Sequence, residues 1–268
     1  MTWSNLLHIV DKLRSPEGCP WDKEQTHESL KRFLLEETYE LFEAIDQKKP
    51  ESMKDELGDV LLQVLLHAQI AQEEGAFSMD GVVTNLSEKL VRRHPHVFGG
   101  TPWGSPIQAD TPEQVVITWD AIKKTERTAN ERVSVLDGVP AVFPALMRAE
   151  KIQKKAAKVG FDWDHTADVA EKVHEELGEL EEAMQTGTQA ELDEELGDLL
   201  FATVNLARFL QVDPELALGR ATAKFTERFH LVETYAKEQG LNLADQSLEK
   251  LNELWDRAKD HLGKKPQA

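Results

Sequence analysis

Two clusters of acidic residues with the same spacing lie in the two halves of the 268-residue chain. The first cluster consists of Glu37, Glu40, Glu56 and Asp59. The second consists of Glu176, Glu179, Glu195 and Asp198. Sixteen positions separate Glu40 from Glu56, and sixteen also separate Glu179 from Glu195. Four carboxylates at one point repel one another unless a hard cation neutralises them, and Mg²⁺ is the first candidate for that cation.

A pair of antiparallel helices is the element that would bring each set of carboxylates together. Positions three apart on an α-helix differ by about 60° and therefore share a face, as Glu176 and Glu179 would. The segment 185–189 breaks the second pair, with Gly187 suited to a left-handed helix end. In the first pair Pro50 ends the helical run, because proline cannot continue a helix interior. Helices joined by such short loops pack as antiparallel neighbours.

The repetition is what favours a metal site over a solvated helix face, the commoner role of a single Glu-rich stretch. Both clusters end in Glu-Leu-Gly-Asp, at residues 56–59 and 195–198, and an apolar helical stripe follows each. Duplication copies scaffold as well as site. The repeat therefore indicates that the halves are related, and it does not show that both are active.

Composition predicts an all-α protein of two domains. Helix formers dominate nearly every segment, and no run alternates cleanly as a strand would. We place a first domain at residues 1–127, a linker at 128–143 and a second domain at 144–268. A basic amphipathic helix opens the second domain and ends at Gly160. Its cations would pair with an acidic face or raise the potential near the site.

Charge and cysteine content exclude several classes of protein. A net charge of −18 argues against binding to nucleic acid polymers or anionic membranes, although it leaves room for a small polyphosphate carried with a metal. The single cysteine, Cys19, fits a reducing compartment. The first residues lack the pattern of a signal peptide, and the most apolar stretch, residues 60–71, is too short to span a bilayer. We therefore expect a cytoplasmic protein.

Each half also carries a basic pair followed by a tryptophan. The pairs are Lys89 with Arg93 and Lys224 with Arg228, and the tryptophans are Trp119 and Trp255. Residues four apart share one helix face, so each pair presents two cations together. Carboxylates for a divalent ion, cations for phosphate and an indole for a base are typical of a metal-dependent nucleotide site. Core packing and solvated helix faces remain the commoner roles for these residue types taken singly.

The chain resembles the MazG family of nucleoside triphosphate pyrophosphohydrolases over nearly its whole length. In the first half the resemblance rests on residues 19–26, 35–40, 56–59 and 92–98. In the second half it rests on residues 145–149, 151–153, 159–163 and 195–203. The resemblance implies two tandem four-helix-type domains whose bundles are completed in a homodimer.

By the same resemblance, the activity is Mg²⁺-dependent hydrolysis of NTPs or dNTPs to monophosphate and pyrophosphate, with broad base specificity and a house-cleaning role. Mn²⁺ is the substitute cofactor. The resemblance assigns Glu176, Glu179, Glu195 and Asp198 to the metal. It assigns Lys172, Glu175, Lys224, Arg228 and Trp255 to the nucleotide. The chemistry of such a site, rather than the resemblance, suggests that Glu175 or Glu176 takes the proton of the attacking water. The phosphorus attacked, α or β, stays open, as does the number of metal ions.

The first half departs from this pattern, because Phe33 stands where the second half has Lys172. We therefore expect the first domain to be weakly active or structural, although it keeps its four acids. A nucleotide-binding sensor without turnover is the alternative, since binding needs the same residues. A di-iron carboxylate bundle would need Glu-x-x-His motifs, and His174 of such a string lies about 200° from Glu176 around the helix.

Overall fold

The computed structural model of the chain describes residues 1–99, 109, 111–127 and 134–263. The regular structure in these ranges is helical and includes no strand, which confirms the all-α prediction. The chain divides into two compact units, Met1–Asn130 and Glu131–Ala268. The domain and linker bounds proposed from the sequence stay predictions, and residues 128–133 of that linker lie outside the described residues.

The first unit contains seven helices within its described part. They are α1 (Trp3–Arg14), α2 (Pro20–Glu24), α3 (His27–Asp46), α4 (Pro50–Glu73), α5 (Met79–Arg93), α6 (Pro95–Phe98) and α7 (Pro112–Arg127). Helices α3 and α4 pack against each other, and α1 contacts α4. Their shared core consists of Val10, Leu30, Leu65, Leu66 and Ile70. Burial of these aliphatic side chains fixes the helix pair that carries the first acidic cluster.

The second unit contains five α-helices and one short 3₁₀ turn within its described part. They are α8 (Ala145–Ala157), α9 (Thr166–Thr186), α10 (Gln189–Phe209), α11 (Pro214–Glu238) and α12 (Leu248–Gly263), with the 3₁₀ turn at Leu243–Asp245. Helices α9 and α10 form one pair, and α11 packs on α12 around a core of Val232, Tyr235, Ala236, Leu254 and Ala258. Helix α8 contacts both α10 and α11. The predicted basic helix is therefore present.

Both predicted helix breaks are confirmed, with one correction to the reason given for the second. Pro50 is the first residue of α4, as expected for a proline that cannot continue α3. Gly187 ends α9, but its φ is −80°, so the predicted left-handed conformation is wrong. A Cβ at Gly187 would lie 2.6 Å from the carbonyl oxygen of Ala183. Glycine is needed here because the backbone passes too close for a side chain.

Helix α10 begins in a reciprocal capping arrangement next to this turn. The hydroxyl of Thr188 accepts from the backbone N–H of Glu191, whose carboxylate accepts from the backbone N–H of Thr188. These hydrogen bonds fix where α10 starts and so set the register between α9 and α10. None of the described helices combines the length and apolar character that a membrane crossing needs.

Candidate metal and nucleotide site

Three of the four predicted metal ligands of the second unit lie together. Glu176 and Glu179 on α9 and Glu195 on α10 each place a carboxylate oxygen within 4.8 Å of the others. Glu176 is buried, with 6% of its surface exposed, while Glu195 is half-buried and Glu179 is exposed. The antiparallel packing of α9 on α10 therefore brings the two acidic segments to one point, as their spacing predicts.

Lys172 neutralises part of this negative charge. Its Nζ lies 2.7 Å from Oε1 of Glu176 and 2.8 Å from Oε1 of Glu175. The two carboxylates raise the pKa of the Lys172 ammonium above its ordinary value. Desolvation, followed by the nearby Glu176 carboxylate, raises the pKa of Glu179, and Lys172 opposes that rise. The Lys172 ammonium therefore offsets part of the negative charge that these carboxylates carry when ionised.

The first unit gathers three acids of its own cluster, two of them equivalent to Glu176 and Glu195, without a lysine at the matching position. Glu37 on α3 and Glu56 and Asp59 on α4 have carboxylate oxygens within 4.8 Å of one another. Desolvation, followed by the neighbouring Asp59 carboxylate, raises the pKa of Glu37. Desolvation, followed by the Glu40 carboxylate, raises the pKa of Glu56. Phe33 stands in place of the lysine, and its ring makes an edge contact with Trp21 at 5.5 Å between centroids.

Two predicted ligands do not belong to these groups. Asp198, one turn beyond Glu195 on α10, is exposed and is not among the three acids whose oxygens converge. Glu40, which is exposed on α3 and is the counterpart of Glu179, is not among the three converging acids of the first unit. Their assignment to a metal stays a prediction, as does that of the acids that converge.

The predicted nucleotide-binding residues of α11 and α12 form a second group. The guanidinium of Arg228 lies over the ring of Trp255, 5.9 Å from its centroid. The Nε of Arg228 is buried and has no hydrogen-bond partner among the described residues. Lys224 is exposed one turn away on α11. Within the described part of the chain, no hydrogen bond or ion pair joins this group to Lys172 and the acids.

Phe225 is a member of this group that the sequence did not predict. Its ring centroid lies 5.0 Å from that of Trp255 and 6.0 Å from that of Phe229. More than half of the Phe225 surface is exposed, at 56%. The sequence did offer a signal for Phe225, because it is an apolar residue between the basic Lys224 and Arg228 of α11, where a solvated helix face would be polar.

The chemistry of the donor set fits a hard divalent cation. The groups able to hold a metal, searched over the described residues, consist of carboxylates alone and include no histidine. Oxygen-only donors are what Mg²⁺ and Mn²⁺ prefer. Di-iron bundles need histidine beside the carboxylates, and His174 is exposed outside the group, so the donor set disfavours that alternative. The fold and these clusters define an all-α protein with two carboxylate clusters whose donor atoms suit a divalent metal.

The chain belongs to the MazG nucleotide pyrophosphohydrolase family. The MazG nucleotide pyrophosphohydrolase domain matches twice, over residues 25–98 and 165–232, and each match contains one of the acidic clusters. This result confirms both the tandem repeat and the resemblance noted from the sequence.

Several proteins in other organisms are similar over nearly the full length. A Thermotoga maritima protein named nucleoside triphosphate pyrophosphohydrolase/pyrophosphatase MazG is 51% identical over 96% of this chain and 95% of its own length. The nucleoside triphosphate pyrophosphohydrolase of Escherichia coli K12 is 47% identical over 95% of each chain. The Bacillus subtilis protein YabN is 50% identical over 96% of this chain, which corresponds to 52% of YabN.

Proposed function

We propose that the second unit hydrolyses nucleoside triphosphates to monophosphate and pyrophosphate in a Mg²⁺-dependent reaction, with Mn²⁺ as a substitute. Family membership makes the chain a nucleotide pyrophosphohydrolase, and full-length relatives bear the corresponding enzyme name. The observation that carries the assignment to the second unit is the convergence of Glu176, Glu179 and Glu195 beside the Lys172 ammonium.

Glu176, Glu179 and Glu195 would hold the metal, with Asp198 as a fourth ligand from the next turn of α10. Mg²⁺ bound there supplies Lewis-acid stabilisation of phosphate charge and lowers the pKa of a coordinated water. Burial of Glu176 supports this role, because a buried carboxylate is held most firmly in one orientation. The three side chains project from two packed helices, so they are positioned before substrate arrives.

Glu175 is suited to accept a proton from the attacking water. It lies outside the group of converging oxygens and is 58% exposed, so its carboxylate is not committed to the metal. Its carboxylate accepts a hydrogen bond from Lys172 at 2.8 Å, which holds it beside the acidic cluster before substrate binds. Glu176 could take the same role only with an oxygen left free by the metal.

Cations and an aromatic surface complete the nucleotide site. Lys172, Lys224 and Arg228 would neutralise the polyphosphate and stabilise charge on the pyrophosphate leaving group. The buried, unpaired Nε of Arg228 supports this role, since a phosphate oxygen would satisfy it. Trp255 would stack on the base, and stacking discriminates poorly among bases. Broad base specificity follows from such stacking, and it suits the house-cleaning role in the cytoplasm that we propose for the protein.

The first unit would bind metal with little or no turnover. It also gathers three carboxylates, those of Glu37, Glu56 and Asp59, but Phe33 replaces the lysine that would contact phosphate. A triphosphate is less well neutralised there, which disfavours catalysis.

A homodimer would cover apolar side chains on the helices that carry the second site. Leu177 on α9 and Leu196 and Leu200 on α10 are between 41% and 51% exposed. Exposed leucines at this spacing are typical of an interface with another helix. Sedimentation of the wild-type protein should give a mass of two chains, and a single-chain mass would contradict the dimer.

Matched substitutions in the two units test the assignment of activity. Glu176→Gln should lower kcat by a factor of about 100 or more while circular dichroism stays unchanged, because one ligand of the catalytic metal is lost. Glu37→Gln, the equivalent change in the first unit, should leave most of the activity. Wild-type rates in Glu176→Gln, or loss of activity only in Glu37→Gln, would contradict the assignment.

A further inference from the structure

We infer that the Lys172 ammonium is an internal counter-ion of the second site. Before a divalent metal binds, it neutralises part of the negative charge that the metal would neutralise. Metal entry would displace Lys172 from Glu176 and leave its ammonium available to the phosphates of the nucleotide. The part that concerns phosphate rests on the proposed function. The competition between Lys172 and metal needs no turnover and can be measured separately.

The contacts of Lys172 show that its charge is used within the cluster. The Nζ atom lies 2.7 Å from Oε1 of Glu176, a carboxylate whose side chain is 8% exposed. Water can compensate little of the charge on so buried a group, so the ammonium is its main counter-charge. Glu179 and Glu195 bring further oxygens within 4.8 Å of Glu176, which makes the demand for a cation larger.

A divalent ion and the Lys172 ammonium cannot both neutralise Glu176 at close range. An ion held by Glu176, Glu179 and Glu195 would stand next to the oxygen that Lys172 now contacts. Two positive charges a few ångströms apart in a partly buried site repel strongly. Entry of the metal therefore includes the cost of breaking the Lys172–Glu176 ion pair.

The Lys172 side chain is able to move away from Glu176 once a metal displaces it. Its side chain is 33% exposed and is attached to the surface of α9 by a flexible four-carbon stem. The second partner, Glu175, is 58% exposed and can be compensated by water. The released ammonium would contact the phosphates that accompany the metal, so that metal and nucleotide each favour the binding of the other.

The first unit lacks this device at the equivalent place. Phe33 occupies the position one turn before Glu37 and packs against Trp21 and the core of the unit. No lysine at that position would have to be displaced by a metal entering between Glu37, Glu56 and Asp59. The two clusters of one chain therefore differ in how the metal-free acids are compensated.

The proposal is tested by measuring metal binding to the Lys172→Met variant in the absence of nucleotide. Calorimetric titration with Mn²⁺ would be done in full-length chain carrying Glu37→Gln and Glu56→Gln, so that only the second site binds. Lys172→Met should bind Mn²⁺ about five- to tenfold more tightly than the Lys172 parent, since no ion pair must be broken. In the presence of Mn²⁺, the same variant should bind a non-hydrolysable triphosphate more weakly.

Lys250→Met is the matched control. It removes the same charge and another exposed i,i+3 ion pair of the second unit, with Glu253, away from the acidic cluster. Its Mn²⁺ affinity should equal that of the parent. Lys172→Gln provides a second uncharged side chain should Lys172→Met unfold, as judged by circular dichroism, and it should give the same gain.

Unchanged or weaker Mn²⁺ binding in folded Lys172→Met and Lys172→Gln would overturn the counter-ion role, whatever the activity of the enzyme. An equal gain in Lys250→Met would also overturn it, because the effect would then be one of net charge. If the parent binds Mn²⁺ but releases no pyrophosphate from a triphosphate, the proposed function is wrong, whereas the competition between Lys172 and the metal is unaffected.

Discussion

Arg14 on α1 and Glu73 on α4, which are 59 positions apart in the sequence, form a two-point ion pair. The Nη2 and Nε atoms of Arg14 lie 2.8 Å and 3.0 Å from the two carboxylate oxygens of Glu73. The Nη1 atom donates to the carbonyl oxygens of Asp22 and Gln25, the latter at 3.1 Å. Arg14 therefore ties the segment that carries Trp21 to the end of α4 and so supports the start of α3.

Arg14→Met should destabilise the first unit by about 2–3 kcal/mol, because it removes a buried guanidinium that contacts the Glu73 carboxylate and donates to the carbonyls of Asp22 and Gln25. Hydrogen exchange followed by mass spectrometry resolves the first unit from the second, and α1 and α2 should exchange faster. Lys12→Met, an exposed change on the same helix, is the control. Equal exchange in the two variants would contradict the anchoring role of Arg14.

The pair of His27 and His67 should make the stability of the first unit depend on pH. Their Nδ1 atoms lie 2.7 Å apart, so one ring donates and the other must accept. Burial, and then the proximity of His27, lowers the pKa of His67 below 6.5. The contribution of His67 to stability is therefore complete above the unfolded pKa and falls as pH drops towards the folded pKa.

Urea unfolding of wild-type protein should thus show a first unit that is less stable at pH 5.5 than at pH 7.5. His67→Asn should reduce this difference, whereas His174→Asn, an exposed change in the second unit, should not. The same pH dependence in wild type and His67→Asn would show that other groups control it.

Neutralising Glu37 should raise the melting temperature of the metal-free protein by about 1–3 °C. The pKa of Glu37 is raised, so the folded state binds a proton more readily than the unfolded state and loses stability as pH rises through that pKa. Glu37→Gln removes this repulsion and also one metal ligand. Its melting temperature should exceed that of wild type in EDTA, and Mg²⁺ should raise it less. A lower melting temperature in EDTA would contradict this electrostatic account.

Replacing Trp255 by leucine should raise KM about tenfold and lower kcat less, since base stacking is worth about 1–3 kcal/mol. The rise should be similar for ATP, GTP, CTP and UTP, because an indole stacks on any base. Phe225→Ala, which removes a neighbouring exposed ring, should give a smaller rise. A loss confined to one base would instead indicate hydrogen-bond recognition at this site.

The helices and the acidic clusters were predictable from local spacing. Pro50 begins α4 where the sequence places a break, and Glu176 and Glu179 share a face because three residues nearly complete a helical turn. The conformation of Gly187 was not predictable, since a close approach to Ala183 and a left-handed φ both require glycine.

Contacts between distant segments lay beyond the sequence argument. Periodicity shows which face of a helix is buried and does not show which residue lies opposite, so Arg14–Glu73 and His27–His67 were missed. The same holds for Gln153, whose amide donates to the carbonyl oxygen of Phe201 at 2.8 Å and joins α8 to α10. Lys172 was predicted to contact nucleotide, but its ion pair with Glu176 depends on side-chain conformations that spacing cannot fix.

The identity of the products tests the central claim most directly. Wild-type protein would be incubated with a mixture of nucleoside triphosphates and Mg²⁺, with a parallel sample in EDTA, and the products separated by ion-exchange chromatography. We predict nucleoside monophosphate and pyrophosphate in equal amounts, both absent in EDTA and from Glu176→Gln. Nucleoside diphosphate with orthophosphate, or product formation that EDTA does not affect, would contradict a metal-dependent pyrophosphohydrolase in the second unit.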